Sequence, residues 1–128
     1  MITATGKGKN YVTELTDGRG HYAFADVMAD AGGENLYSRP GEILAEAYAA
    51  CMNITARQLL DQAGYPGTEV VTKVNMDRSD PAKTVFYSRT DIGGDVPEDV
   101  KAVVLDKITR CPVCKILAGE KEFLPLED

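Results

Sequence analysis

Two of the chain's three cysteines stand three apart in "TRCPVCKILAG", residues 109–119, and the third, Cys51, lies sixty residues earlier in "AYAACMNITA". A thiol acts as a nucleophile or metal ligand only as its thiolate, so the surroundings of each sulfur decide what it can do. Cys111 precedes Pro112 where a helix would start, and a helix N-terminus offers partial positive charge and free N–H groups that lower a thiol pKa. Cys51 falls mid-helix among apolar residues, where burial raises the pKa and leaves the thiol inert. Taken alone, it reads as a small core hydrophobe. The CPVC pair suggests a thioredoxin-like dithiol, but that motif belongs at the head of a helix in a βαβ pattern, and here it follows an amphipathic helix. Zinc is a further reading, with Cys51, Cys111, Cys114 and the only histidine, His21, as a Cys₃His tetrahedron. One CxxC is half of such a signature, and His21 and Cys51 do not make the other half.

The elements that must position these thiols can be read from periodicity and turn residues. "MITATGKG", "NYVTELTD" and "GHYAFADVMAD" read as short strands, with Tyr22, Phe24 and Met28 on one face of the third. "AGGENLYSR" is a loop, and Pro40 opens a helix that runs from Gly41 to Ala63. Its first half is apolar nearly all round, including Ile43, Leu44, Ala47, Tyr48, Cys51, Met52 and Ile54, which predicts burial on several sides. Gly64 caps it, and "TEVVTKVNMD" and "KTVFYSRTDIG" then form a hairpin. "DVPEDVKAVVLDKITR" reads as an amphipathic helix with Asp95 and Glu98 as a capping pattern and Pro97 in the first turn. Cys111 stands at the N-cap of a third, short helix, and "EKEFLPLED" is a closing edge strand or tail. Strands, a long helix, a hairpin and two helices, without βαβ regularity, make an α+β domain with antiparallel sheet.

Composition bounds what such a domain does. The 128 residues suit a single domain, 1–128, and a 44% hydrophobic and 27% charged composition is that of an ordinary globular protein. No apolar run approaches the length of a membrane span and no leader pattern follows Met1, so the expectation is a cytoplasmic protein with no membrane partner. In a reducing compartment an odd number of cysteines points to chemistry, metal or core rather than to a disulfide framework. A net charge of −6 without a basic stripe excludes a nucleic-acid surface. "TGKGKN" lacks the spacing and following helix of a phosphate loop, and the acidic clusters "PLED" and "VPEDV" read as solvated faces.

"RPGEILAEAYAACMNITARQLL", followed some sixty residues later by "RCPVCKILAG", closely resembles the OsmC/Ohr family of thiol-dependent peroxidases, osmotically inducible protein C and organic hydroperoxide resistance protein. The resemblance implies an OsmC-like α+β fold, with antiparallel sheets packed on a long central helix in an intertwined homodimer. It implies that Cys51 is the peroxidatic cysteine, whose thiolate attacks the peroxide O–O bond, and that Cys111 resolves the resulting sulfenic acid to a disulfide. Organic hydroperoxides, or hydrogen peroxide, would be substrates and a lipoyl-type or small dithiol the reductant, with no metal, flavin or haem. The family's activating Glu commonly follows the Pro directly. Here that position is Gly41, and Glu42, one further on as in another branch, is the expected acid. For the family's activating Arg, the sequence offers Lys7, Lys9, Arg19 and Arg39. The alternative is a non-catalytic member of the fold that binds a small ligand or zinc.

Helix geometry adds a constraint of its own. Glu42 and Cys51 are nine residues apart, about 13 Å along one helix and roughly half a turn round, so they cannot share a site within one chain. If both act, a second subunit supplies Glu42, which predicts a symmetric dimer. Met52, Tyr48 and Phe24 suggest an apolar pocket. Cys114 is open between a second resolving thiol that exchanges with Cys111 and a small residue one helical turn on.

Overall fold

The computed structural model describes residues 1–8 and 10–127, which fall into two compact units, Met1–Glu46 and Ala47–Asp128. In the first unit, β1 (Thr3–Gly6), β2 (Thr13–Thr16) and β3 (Tyr22–Ala25) form an antiparallel sheet with β2 in the middle. The turn between β2 and β3 is held by the Asp17 carboxylate, which accepts the Arg19 N–H at 2.8 Å and the His21 N–H at 3.3 Å.

β3 is shorter than its alternating pattern predicts, and Asp26 is the reason. Its side chain is only 1% exposed and accepts the backbone N–H groups of Val27 at 2.7 Å, Glu34 at 3.3 Å and Leu36 at 3.1 Å. That arrangement bends the chain out of the sheet into a loop with a 3₁₀ turn at Ala29–Ala31, so Met28 leaves the strand face expected for it. Burial alone would raise the Asp26 pKa, but the donors from Leu36, Val27 and Glu34 more than offset it and hold the carboxyl below its ordinary 3.8. Gly33 closes the loop against this carboxylate, since a Cβ there would lie 2.2 Å from the Val27 carbonyl oxygen and 2.7 Å from Asp26 Oδ1.

α1 (Pro40–Gln62) begins in the first unit and continues into the second. It closes through Gly64, whose φ of 94° lets the Gly64 N–H reach the Asp61 carbonyl at 3.1 Å and the Tyr65 N–H reach that of Leu60 at 2.8 Å. The hairpin β4 (Val70–Asp80) and β5 (Lys83–Ile92) pairs Val70 with Ile92 through to Asp77 with Val85, with a bulge before Asp80. Val70, Thr72, Val74 and Met76 alternate on its more buried face, as expected. Asn53 fastens α1 to this hairpin, donating through Nδ2 to the Val70 carbonyl at 2.9 Å and to Thr72 Oγ1 at 3.3 Å.

α2 (Glu98–Lys107), a 3₁₀ turn at Ile108–Arg110 and α3 (Pro112–Ala118) complete the fold. Met52, Ala56 and Leu60, at helical spacing along α1, pack with Val96, Val104, Ile108, Cys111 and Cys114 into the core of this unit. Sealing side chains such as Leu60 and Ile108 contributes about 1.5–3 kcal/mol each. Two expectations are corrected. Within the single chain α1 is buried along the Met52, Ala56 and Leu60 stripe and not on the several sides expected, with Leu44 and Ile54 remaining 45% and 47% exposed. Pro97 is the N-cap of α2, with no side-chain capping bond, so the Asp95–Glu98 capping pattern is not realised. Of the edge strand or tail expected after α3, residues 120–127 are the tail: they carry no strand, and Lys121 turns back to cap α3 through the carbonyls of Ile116, Leu117 and Gly119.

The Asp26 network sets two expected outcomes. Gly33→Ala forces its Cβ into the Val27 carbonyl and destabilises the chain by about 1–3 kcal/mol in denaturant unfolding. Because the folded pKa of Asp26 is depressed, its stabilisation is present above the ordinary value of 3.8 and is lost as pH falls through the lower folded value. The protection of the Glu34 and Leu36 amides, their exchange taken relative to the intrinsic rate at each pH, therefore falls across that acid window in the native chain. In Asp26→Asn it is low already at neutral pH and lacks the transition.

Candidate active site

All three cysteines are free thiols, and the second unit brings them together where the first turn of α3 meets α1. Pro112 at N1 sets the start of α3, and Cys111 is its N-cap, accepting the Cys114 N–H at 3.4 Å on its own sulfur. The next free amide, that of Val113, points instead at Cys51, with N–H to Sγ at 3.5 Å. Cys114 turns inward and donates its S–H to the Ile108 carbonyl at 3.5 Å. Cys111 is 1% exposed, Cys114 8%, and Cys51 is half-buried.

This arrangement reverses the expected assignment of environments. Cys111 sits at the helix start, as its sequence predicts, but burial pushes its thiol above the ordinary 9.0 and the Cys114 side chain adds to the rise. The Cys114 N–H and the neighbouring Cys51 side chain pull the other way without cancelling it. The thiol with both access and a helix-start N–H is Cys51, which the apolar helix pattern alone had marked as core. What sequence reasoning could not supply was the docking of α3 on α1, a contact between residues sixty-two apart.

Tyr48, one turn before Cys51, packs edge-on against Phe86 of β5 at 5.3 Å between ring centroids. Burial raises its phenol pKa; the Ser88 side chain opposes the rise, and the nearby Cys114 and Cys111 add to it. Met52, expected to line an apolar pocket, is 3% exposed and belongs to the core.

Glu42 has its own setting in the first unit. It is the third residue of α1, and its Oε1 accepts both the backbone N–H of Arg39 at 3.0 Å and the Arg39 Nε–H at 2.8 Å. The first of these is half of a capping box. The Arg39 guanidinium holds the Glu42 carboxyl below its ordinary 4.5, and Glu42 in turn raises Arg39. Glu42 lines an open cleft of about 500 Å³ with Phe24, Asn35, Leu36, Tyr37 and Ser38, where the Phe24 and Tyr37 rings stack at 5.1 Å. Phe24 thus lines a cleft with Glu42, and that cleft holds none of Cys51, Tyr48 or Met52, the companions expected for it in an apolar pocket. Leu36 and Tyr37, which share the cleft, come from the loop that Asp26 folds, and nothing in their spacing signalled this.

Of the candidate basic residues, Arg39 meets Glu42, Lys7 pairs with Glu14 at 3.9 Å and Arg19 with Asp17 at 3.1 Å. Lys9 lies outside the described residues. His21 is paired through Nδ1 with Asp17 at 2.6 Å. Among the described residues no three His, Cys, Asp or Glu side chains come together to hold a metal, so the Cys₃His reading has no site there. No helix among them is long and apolar enough to cross a membrane.

The family model described as OsmC-like protein matches residues 32–123. No curated protein sequence matches the chain significantly. Among solved structures, a protein assigned to osmotic stress induction and detoxification response in Psychrobacter arcticus superposes with a TM-score of 0.74 at 18% identity, covering 90% of this chain and 85% of that one. An organic hydroperoxide resistance protein from Elizabethkingia anophelis, solved with thiocyanate bound, matches at a TM-score of 0.61 and 22% identity over 93% and 89% of the two chains. OhrB of Bacillus subtilis, also an organic hydroperoxide resistance protein, matches at 0.61 and 19% over 93% and 91%. At these identities the likeness is one of fold.

The thiol environments have a direct readout. Under iodoacetamide at about pH 8, Cys51 is alkylated at least roughly tenfold faster than Cys111 in the native protein, since Cys51 is accessible while Cys111 is sealed and burial holds it as the thiol. Peptide mass spectrometry over time measures the order, and Cys111 reacting first would contradict the buried position described for it.

Proposed function

The chain belongs to the OsmC-like protein family, and from that premise we propose that it is a thiol-dependent peroxidase working through Cys51 and Cys111. The observation that carries this reading is the Val113 N–H on the accessible Cys51 sulfur, with Cys111 in the core against which Cys51 packs. An N–H aimed at sulfur favours thiolate, and a thiol already at hand is what a sulfenic acid needs to be resolved.

In the first step the Cys51 thiolate attacks the peroxide, forming an S–O bond as the O–O bond breaks, and the alkoxide leaves as alcohol after taking a proton. Cys111 then attacks the sulfenic sulfur, an S–S bond forms and water leaves. An external dithiol, lipoyl-type or small, restores both thiols by exchange. Organic hydroperoxides are the proposed substrate class, supported by the likeness to organic hydroperoxide resistance proteins of Elizabethkingia anophelis and Bacillus subtilis and by the stacked Phe24 and Tyr37 rings in the Glu42 cleft.

The working unit is proposed to be a homodimer in which Glu42, with Arg39 bonded to it, serves the Cys51 of the second copy, as the spacing along the helix requires. Exposed Leu44 and Ile54 on α1 support such an interface. The family match runs across both units, which supports one OsmC-like domain over 1–128, and the proposed setting is the reducing cytoplasm.

Peroxide consumption with a dithiol reductant tests this. Cys51→Ser abolishes turnover, while Cys111→Ser stops at a sulfenic acid that dimedone traps on Cys51. Glu42→Gln lowers kcat/KM by about tenfold or more with unchanged helix content, because Gln also completes a capping box. Retained activity in Cys51→Ser would overturn the proposal, and equal turnover of hydrogen peroxide and cumene hydroperoxide would remove the preference for organic substrates.

A further inference from the structure

Cys114 is the one nucleophilic side chain of the thiol cluster that the two-cysteine cycle leaves unused. It is buried, it stands one turn from Cys111 on the same short helix, and its backbone N–H already touches the Cys111 sulfur at 3.4 Å. The N-cap and third residue of a helix lie roughly 5 Å apart, within the Cα separation that a disulfide spans, so these two sulfurs can be joined without moving one element against another. Cys111 thus has a thiol partner on each side: Cys51 on α1 and Cys114 on its own helix.

We infer that Cys114 is a second resolving thiol, which attacks Cys111 in the Cys51–Cys111 disulfide, leaves a Cys111–Cys114 disulfide and returns Cys51 to the reduced state. The inference rests on the peroxidase reading proposed above. The exchange balances within the chain: the Cys114–Cys111 bond forms as the Cys111–Cys51 bond breaks, and the bonding pair departs on the Cys51 sulfur. The proton of Cys114 ends on Cys51, and no outside oxidant or reductant enters.

Three features favour that direction. The departing Cys51 thiolate is met by the Val113 N–H at 3.5 Å, which stabilises the charge it acquires. The attacking S–H is held by a single carbonyl, that of Ile108, and rotation about one side-chain torsion releases it towards Cys111. The product disulfide closes a loop within one helical turn at a site where both sulfurs are sealed, whereas Cys51 remains accessible. Oxidation is thereby stored on the buried pair while Cys51 is free to meet a second peroxide before any reductant arrives.

The test is a quenched time course on reduced protein mixed with cumene hydroperoxide in the absence of reductant, with disulfides mapped by peptide mass spectrometry and peroxide consumption counted. With one equivalent of peroxide the relay gives Cys51–Cys111 first, then Cys111–Cys114 with Cys51 again alkylatable, and with excess peroxide a rapid uptake of two equivalents per chain. Cys114→Ser and Cys114→Ala both stop at Cys51–Cys111 and take up one. A native chain that keeps Cys51–Cys111 with Cys114 as free thiol overturns the relay and leaves the peroxidase reading standing. Formation of Cys111–Cys114 at an undiminished rate in Cys51→Ser overturns both, because the pair would then be oxidised directly.

Discussion

The seat of the α3 first turn on the α1 stripe is the contact on which the chemistry depends. Ala56 and Leu60 of α1 pack with Ile108 and Cys111, all at 2% exposure or less. The 3₁₀ turn at Ile108–Arg110 lets the chain leave α2 and re-enter a helix at once, with the Cys111 N–H bonded to the Ile108 carbonyl at 3.2 Å. Pro112 then fixes the direction of the first turn. Val113 can point its amide at Cys51 only because those anchors leave little freedom. A cavity at Leu60 would therefore act on the sulfur as well as on stability.

The same burial that makes the seat firm works against Cys111 as a thiolate. Desolvation lifts its pKa, so at neutral pH it is a poor nucleophile towards anything arriving from solvent. The resolving role proposed for Cys111 does not include that task. Its target is generated beside it, and proximity supplies what thiolate fraction lacks, while a thiol of higher pKa is intrinsically the stronger nucleophile once deprotonated. In the proposed cycle half-exposed Cys51 would meet the external substrate and sealed Cys111 only its neighbours, so that the two environments would divide the labour.

Much of this was legible in the sequence because the signals were local. Pro112 after Cys111, Gly64 after the long helix, and alternation through Val70, Thr72, Val74 and Met76 each specify a cap, a stop or a strand face within a few residues. The paired cysteine motifs carried the family resemblance, which the match over residues 32–123 bears out. What was not legible depended on contacts across long stretches of chain. The environment of Cys51 comes from Val113, and Met52 faces the core because α2 and α3 cover that side of the helix. β3 ends early because a single buried Asp26 gathers amides eight and ten residues ahead, which no period-two pattern records.

Glu42 illustrates how a structural demand and the chemical one proposed for it can settle on one residue. The capping box works when the carboxylate is the third residue of the helix, because from there it reaches back to the N-cap amide. With Pro40 opening α1, that position is Glu42 and not Gly41. The Arg39 amide and guanidinium both converge on one of its oxygens, so the carboxylate is held ionised and oriented with Oε2 left over. Moving the acid one position along the helix from the commoner family pattern thus gains a cap and keeps an aimed carboxylate beside an arginine. Adjacency to the proline is then not what an acid at this helix start requires; a fixed rotamer and a basic partner are, and the N-cap arginine provides both.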